Sequence, residues 1–189
     1  MAKGTTATEK ETKTNSAVKN EEKPKAEKKV NWAKEIENIK LDEMITIKNL
    51  APWDVTFNRL HDLGGGIVIS PNGFQKLSRN EVIAQINSGN RLLGGIDSYG
   101  SHATIYIDDE LTRRYVGFDE DDRKQLIINN ETVKALFDSK VKMGDFEKEI
   151  KNLVKCSYEK FALIDIIREL GVNDFRKIRF AEEYTGCRI

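Results

Sequence analysis

Residues 94–118, GGIDSYGSHATIYIDDELTRRYVGF, carry the pattern on which the fold turns. Ala103, Ile105 and Ile107 alternate with His102, Thr104, Tyr106 and Asp108, the period of two that a half-buried strand requires. Asp97, Ser98, Tyr99 and Gly100 supply turn chemistry before it. The β-branched and aromatic residues of Thr112 to Phe118 predict a return strand, with Arg113 and Arg114 beside Asp108 and Asp109. The expected unit is a hairpin at the centre of a small sheet.

Working outward, Ile45 and Ile47 alternate with Thr46 and Lys48, and Trp53, Val55 and Phe57 alternate with Asp54 and Thr56. Pro52 interrupts the two runs, so they read as one bent strand or two near a sheet edge. Ile67 to Ile69, the turn Pro71-Asn72-Gly73 and Phe74 to Leu77 read as a second hairpin. Ser78 stands three residues before Glu81, the spacing of a capping box, and Val82, Ile83 and Ile86 give the following helix its apolar face. Trp32, Ile36 and Ile39 predict a short docking helix earlier in the chain.

Beyond Phe118 the texture changes. An acidic run at 119–122 reads as a solvated linker, since it lacks the glycine and terminal glutamate of a calcium loop. Phe146, Ile150, Leu153 and Val154 follow helical spacing, and Ser157 is placed to cap a strongly apolar helix containing Phe161, Leu163, Ile164, Ile166, Ile167 and Leu170. Gly171 ends that helix, Asn173 or Asp174 opens another, and Gly186 closes it. The fold class expected is α+β: a small antiparallel sheet or partly open barrel with one crossing helix, then a C-terminal helical bundle. The segments are a disordered charged tail (1–30), a sheet-rich domain (31–118), the acidic linker (119–130) and a helical domain (131–189).

Of 189 residues, 31 are basic and 31 acidic, so no global field draws in a polyanion and any such binding must be local. The tail holds eight lysines and five glutamates with no arginine or aromatic residue, which suits a tether better than a nucleic-acid arm. Two cysteines, Cys156 and Cys187, form no disulfide framework, and no apolar run is long enough for a bilayer. These features predict a soluble cytoplasmic protein without membrane contact.

Chemistry-bearing residues are few. Helix, Gly171, helix is the outline of a helix-turn-helix, with Arg176, Lys177 and Arg179 where base-reading side chains would sit; Glu182 and Glu183 one turn on oppose a phosphate backbone. His61 and His102 could form a hydrolytic or metal site with Asp97, Asp108, Asp109 or Ser101 only if the fold joined them, and a surface or hydrogen-bonded structural role for His102 is the simpler expectation. Cys156 precedes a helix N-terminus that could favour its thiolate, but a structural thiol between packed helices fits its setting better. Gly64-Gly65-Gly66 lacks the Lys-Ser/Thr of a phosphate-binding loop.

KNLAPWDVTFNRL (48–60) and LSRNEVIAQINSGNRLLGGIDSYGSHATIYIDD (77–109) resemble the small structural-module proteins of tailed bacteriophages. The resemblance spans about residues 48 to 118 and carries no catalytic or binding motif. It implies a virion component or assembly factor, hence virion association. The expectation is therefore a non-enzymatic structural or assembly protein without cofactor or metal, working through protein partners or self-association; the alternative is nucleic-acid binding through Arg176, Lys177 and Arg179.

Overall fold

A computed structural model describes residues 30–125 and 127–189; residues 1–29 of the charged tail read at 1–30, and Leu126, lie outside the described residues. Asn31–Ile189 is one compact unit. It is a mixed α+β fold with two open sheets, neither closed into a barrel. The element order is α1 (Trp32–Glu37), β1 (Met44–Asn49), β2 (Val55–Asn58), β3 (Gly66–Ile69), β4 (Phe74–Ser78), α2 (Arg79–Asn87), α3 (Arg91–Gly94), β5 (Ile105–Ile107) and α4 (Glu110–Tyr115), followed by α5 (Asn130–Leu136), α6 (Met143–Leu153), α7 (Ser157–Leu170) and α8 (Phe175–Thr185).

The first sheet runs β4-β1-β5, all antiparallel, with Ile45 opposite Leu77 and Ile47 opposite Ile107. β1 is thus the central strand, not an edge, and its Ile45, Ile47 and Asn49 all face inward. β2 and β3 form a separate antiparallel ribbon, Val55 opposite Ile69. The hairpin expected between 67–69 and 74–77 does not form: β3 and β4 are consecutive but belong to different sheets, because Val55 and Phe57 offer β3 a better-matched partner than the short turn allows.

The return strand expected after β5 is instead the helix α4. Asp109 accepts a hydrogen bond from the Thr112 N–H at 2.8 Å, Glu110 lies in the first turn, Arg113 and Arg114 lie in the last, and Gly117 adopts φ 78° just beyond. Cap and dipole complementarity outweigh the weak strand preference of Thr112, Tyr115 and Val116. Arg113 and Arg114 accordingly do not pair across strands. Arg113 Nε donates to Asp119 at 2.8 Å and Arg114 Nε to Glu110 at 3.1 Å. Asp119, inside the acidic run, is buried by this bond and by a 2.7 Å bond from the Gln125 N–H, while Glu120, Asp121 and Asp122 are exposed.

Two hydrophobic clusters fill the unit. One joins Ile45, Ile47, Leu77, Val82, Ile105, Ile107 and Phe118 to Tyr158; the other joins Val133, Phe146, Ile150, Leu163, Ile164, Ile167 and Ala181. α7 supplies both, with Tyr158 reaching the sheet and its later turns filling the space between α5 and α8. Its N-cap is Cys156, one residue earlier than the expected Ser157, and Gly171 ends it in the left-handed conformation. Asp174 caps α8 and Gly186 closes it.

Arg79 is the least expected element of the fold. The first residue of α2, it is 2 % exposed, and its guanidinium donates to Thr112 Oγ1 at 2.8 Å, to Glu43 at 2.9 Å, to Asp109 at 3.2 Å and to the Lys40 carbonyl. Five planar donors let one arginine tie together the α1–β1 connection, α2 and the start of α4. Arg114 adds a second link from above, its guanidinium 4.4 Å from the Trp32 ring of α1.

Candidate functional site

Two surface features are built with care. The first is the loop 59–66 between β2 and β3. Ser78 caps α2 as its spacing predicts, accepting from the Glu81 N–H at 3.0 Å, but the Glu81 side chain does not turn back to complete the box. Its carboxylate accepts the backbone N–H groups of Leu60 (2.9 Å), His61 (2.7 Å) and Asp62 (2.8 Å) and the Gln85 amide (2.7 Å). Burial of Glu81 opposes ionisation; the donors of Asp62, Gln85, Leu60 and His61 outweigh it and hold the carboxyl at about 2, against an ordinary 4.5. Ser78 Oγ also donates to Asp62 at 2.7 Å, and that bond, opposed by partial burial, lowers the Asp62 carboxyl. A loop so firmly gripped nevertheless turns Leu60 and Leu63 outward, Leu63 with its whole side chain in solvent.

The second is a groove of about 780 Å³ between the β1 end of the sheet and helices α5 and α7. Asn49, fully buried, shapes its near wall: Nδ2 lies 2.7 Å from the Trp53 carbonyl oxygen, 3.1 Å from that of Ile69 and 3.0 Å from that of Ser70, and Oδ1 accepts from the Ala51 N–H at 2.9 Å. Leu50 and Pro52, on either side of Ala51, line the groove together with Tyr158, Ala162 and Ile166 of α7. Burial, and then the neighbouring Glu159 carboxylate, push the Tyr158 hydroxyl far above its ordinary range, so it stays protonated. Among the described residues, Glu131, Asp165 and Glu169 stand on the groove wall against a single cation, Lys48. Trp53 and Phe161, neighbours in sequence of the lining residues Pro52 and Ala162, meet edge to face, 5.8 Å between ring centres, and each is partly exposed.

The residues singled out in the sequence are scattered by the fold. His102 is not on the polar face of a strand: it sits in the turn before β5 at φ 60°, 5 % exposed, with Nδ1 2.6 Å from Glu159 Oε1. His61 contacts Asn80 Nδ2 at 2.7 Å and Asp62 at 3.5 Å on the loop. Asp97 accepts the N–H groups of Tyr99 (2.8 Å) and Ser101 (3.2 Å), a turn-forming carboxylate. Asp109 belongs to the Arg79 network, and Asp108 is exposed. Among the described residues no three His, Cys, Asp or Glu side chains are grouped so as to hold a metal ion.

On Cys156 the thiol pKa is raised, by burial and then by Glu159, and Sγ lies 3.6 Å from the His102 carbonyl. The helix terminus therefore does not make it a thiolate. Of the three cationic residues of α8, Arg176 is exposed and Arg179 is exposed but paired with Glu183 at 2.9 Å. Lys177 points inward. Its ammonium donates to the carbonyls of Leu136 (3.0 Å) and Asp138 (2.8 Å), so the three do not share one solvent-facing surface. Among the described residues no helix is long and apolar enough to cross a membrane.

Comparison with protein-family models, with curated proteins and with solved structures found no match.

Proposed function

We propose that this chain acts by making protein contacts, as a structural or assembly component, and not by catalysis. The observation that carries this reading is the loop 59–66. Glu81 spends a buried carboxylate on three successive backbone N–H groups, and what that rigidity presents to solvent is a pair of leucines. Exposed apolar side chains cost little when single, but pre-ordering the backbone that carries them lowers the entropy lost when they bury against a partner. In its finer form, following the resemblance of residues 48–118, that partner is a neighbouring subunit of a bacteriophage particle.

A photocrosslinking amino acid at position 63, with one at exposed Lys76 as control, tests this in cells that produce the protein naturally. A discrete protein adduct formed from position 63 and lost in Leu60→Glu supports the reading, whether the adduct is a second copy or another protein. Equal labelling from both positions, or an adduct indifferent to Leu60→Glu, overturns it.

A further inference from the structure

We infer that the groove between β1 and α7 is a second binding site, which takes a lysine- or arginine-bearing amphipathic segment of a partner protein. Its lining is mixed, and the apolar part of it, including Leu50, Pro52, Ala162 and Ile166, favours an occupant that brings an apolar face to displace water there. The charge of its wall decides what flanks that face. Neither Glu131 nor Glu169 has an ion-pair partner among the described residues; Asp165 is met only by Arg168, at 2.7 Å, where both side chains are more than half exposed. Among the described residues Lys48 is the one cation on the wall and has no ion-pair partner; its ammonium sits 5.4 Å from the Phe74 ring centre.

The groove thus presents an excess of carboxylates beside its apolar lining residues, and complementary charge gives an incoming segment its orientation and its discrimination against acidic competitors. Trp53 and Phe161, each next in sequence to a lining residue (Pro52 and Ala162), add large apolar area already ordered by contact with each other. Because the chain as a whole has no net charge, preference for a cationic segment has to arise locally.

This site shares no residue with the loop 59–66, so the two can be tested apart. The probes are two short synthetic peptides with leucine at helical spacing, one carrying lysine and the other glutamate at the remaining positions, each titrated into the full chain by fluorescence anisotropy at low salt. The lysine peptide is expected to bind about tenfold more tightly than the glutamate peptide, with the difference shrinking as salt rises. In Glu131→Lys/Glu169→Lys, two exposed positions, the circular dichroism spectrum is expected to stay unchanged and the preference to reverse. Equal binding of both peptides, absence of binding, or a lysine preference unaltered in the double variant overturns the inference. Leu60→Glu should leave peptide binding unchanged; with Leu60 in place, absence of the position-63 adduct while the lysine preference holds overturns the loop reading alone, and absence of the preference while the adduct forms overturns the groove alone.

Discussion

His102 Nδ1 stands 2.6 Å from Glu159 Oε1, joining the turn before β5 to the N-terminus of α7 across 57 residues of sequence. The same carboxylate accepts the N–H groups of Lys155 at 2.7 Å and Cys156 at 2.9 Å, and the Tyr158 hydroxyl lies 3.3 Å away. One buried acid thereby holds the start of α7 and the approach to the central sheet together.

Removing that acid leaves several buried donors without an acceptor. Glu159→Ala is expected to lose at least about 3 kcal/mol, measured by urea unfolding. His102→Ala should lose less, about 1–3 kcal/mol, because the carboxylate keeps its other donors. Since His102 has φ 60°, His102→Asn should be milder than His102→Val, whose branched side chain resists that backbone. Equal losses for Asn and Val would show that the backbone conformation contributes nothing.

Glu81 gives a pH signature. Its folded pKa, about 2, lies below the ordinary 4.5, so its contribution is complete above 4.5 and is lost as pH falls from 4.5 toward 2. The stability gap between wild type and Glu81→Gln should be about 1–3 kcal/mol at neutral pH and should narrow through that acid window. A gap that stays constant down to pH 2 would contradict the hydrogen-bonded carboxylate.

Glycine is required at position 100 for two separate reasons. Its φ is +82°, and a Cβ there would lie 2.5 Å from Phe118 Cδ2. At Gly171 φ is +57°, but nothing stands within 4 Å of a Cβ. Gly171→Ala is expected to cost about 1–2 kcal/mol from backbone strain, and Gly100→Ala about 1–3 kcal/mol more from overpacking, read as the difference in thermal or urea midpoints.

Lys177 separates a structural from a nucleic-acid role for α8. Lys177→Ala should cost about 1–3 kcal/mol, because the C-terminal carbonyls of Leu136 and Asp138 lose their donor. Arg176→Ala and Arg179→Ala should stay within about 0.5 kcal/mol. If the pair of arginine variants also removes salt-dependent affinity for duplex DNA, the helix has a polyanion-binding role in addition.

The sequence by itself determined the mixed α+β class, the inward face of β1, the cap at Ser78, a cap at Asn173 or Asp174 that the structure resolves to Asp174, and the ends at Gly171 and Gly186. Each of these rests on residues within one or two turns of each other, where spacing and capping chemistry suffice. Tertiary structure alone decided the rest. Glu81 has the spacing of a capping box, and only the position of the 60–62 backbone showed its carboxylate turning outward to that loop. Thr112 to Phe118 carry strand-forming residues, and Asp109, Arg79 and Asp119 made them the end of a helix. β3 chose β2 over its neighbour in sequence, and α7 brought Glu159 to His102 and Ala162 to Pro52, making the buried pair and the groove. The physical reason is common to all four: a strand's partner, a buried charge's counterpart and a cavity's walls are set by distant residues competing for the same space and hydrogen bonds, and local pattern does not record that competition.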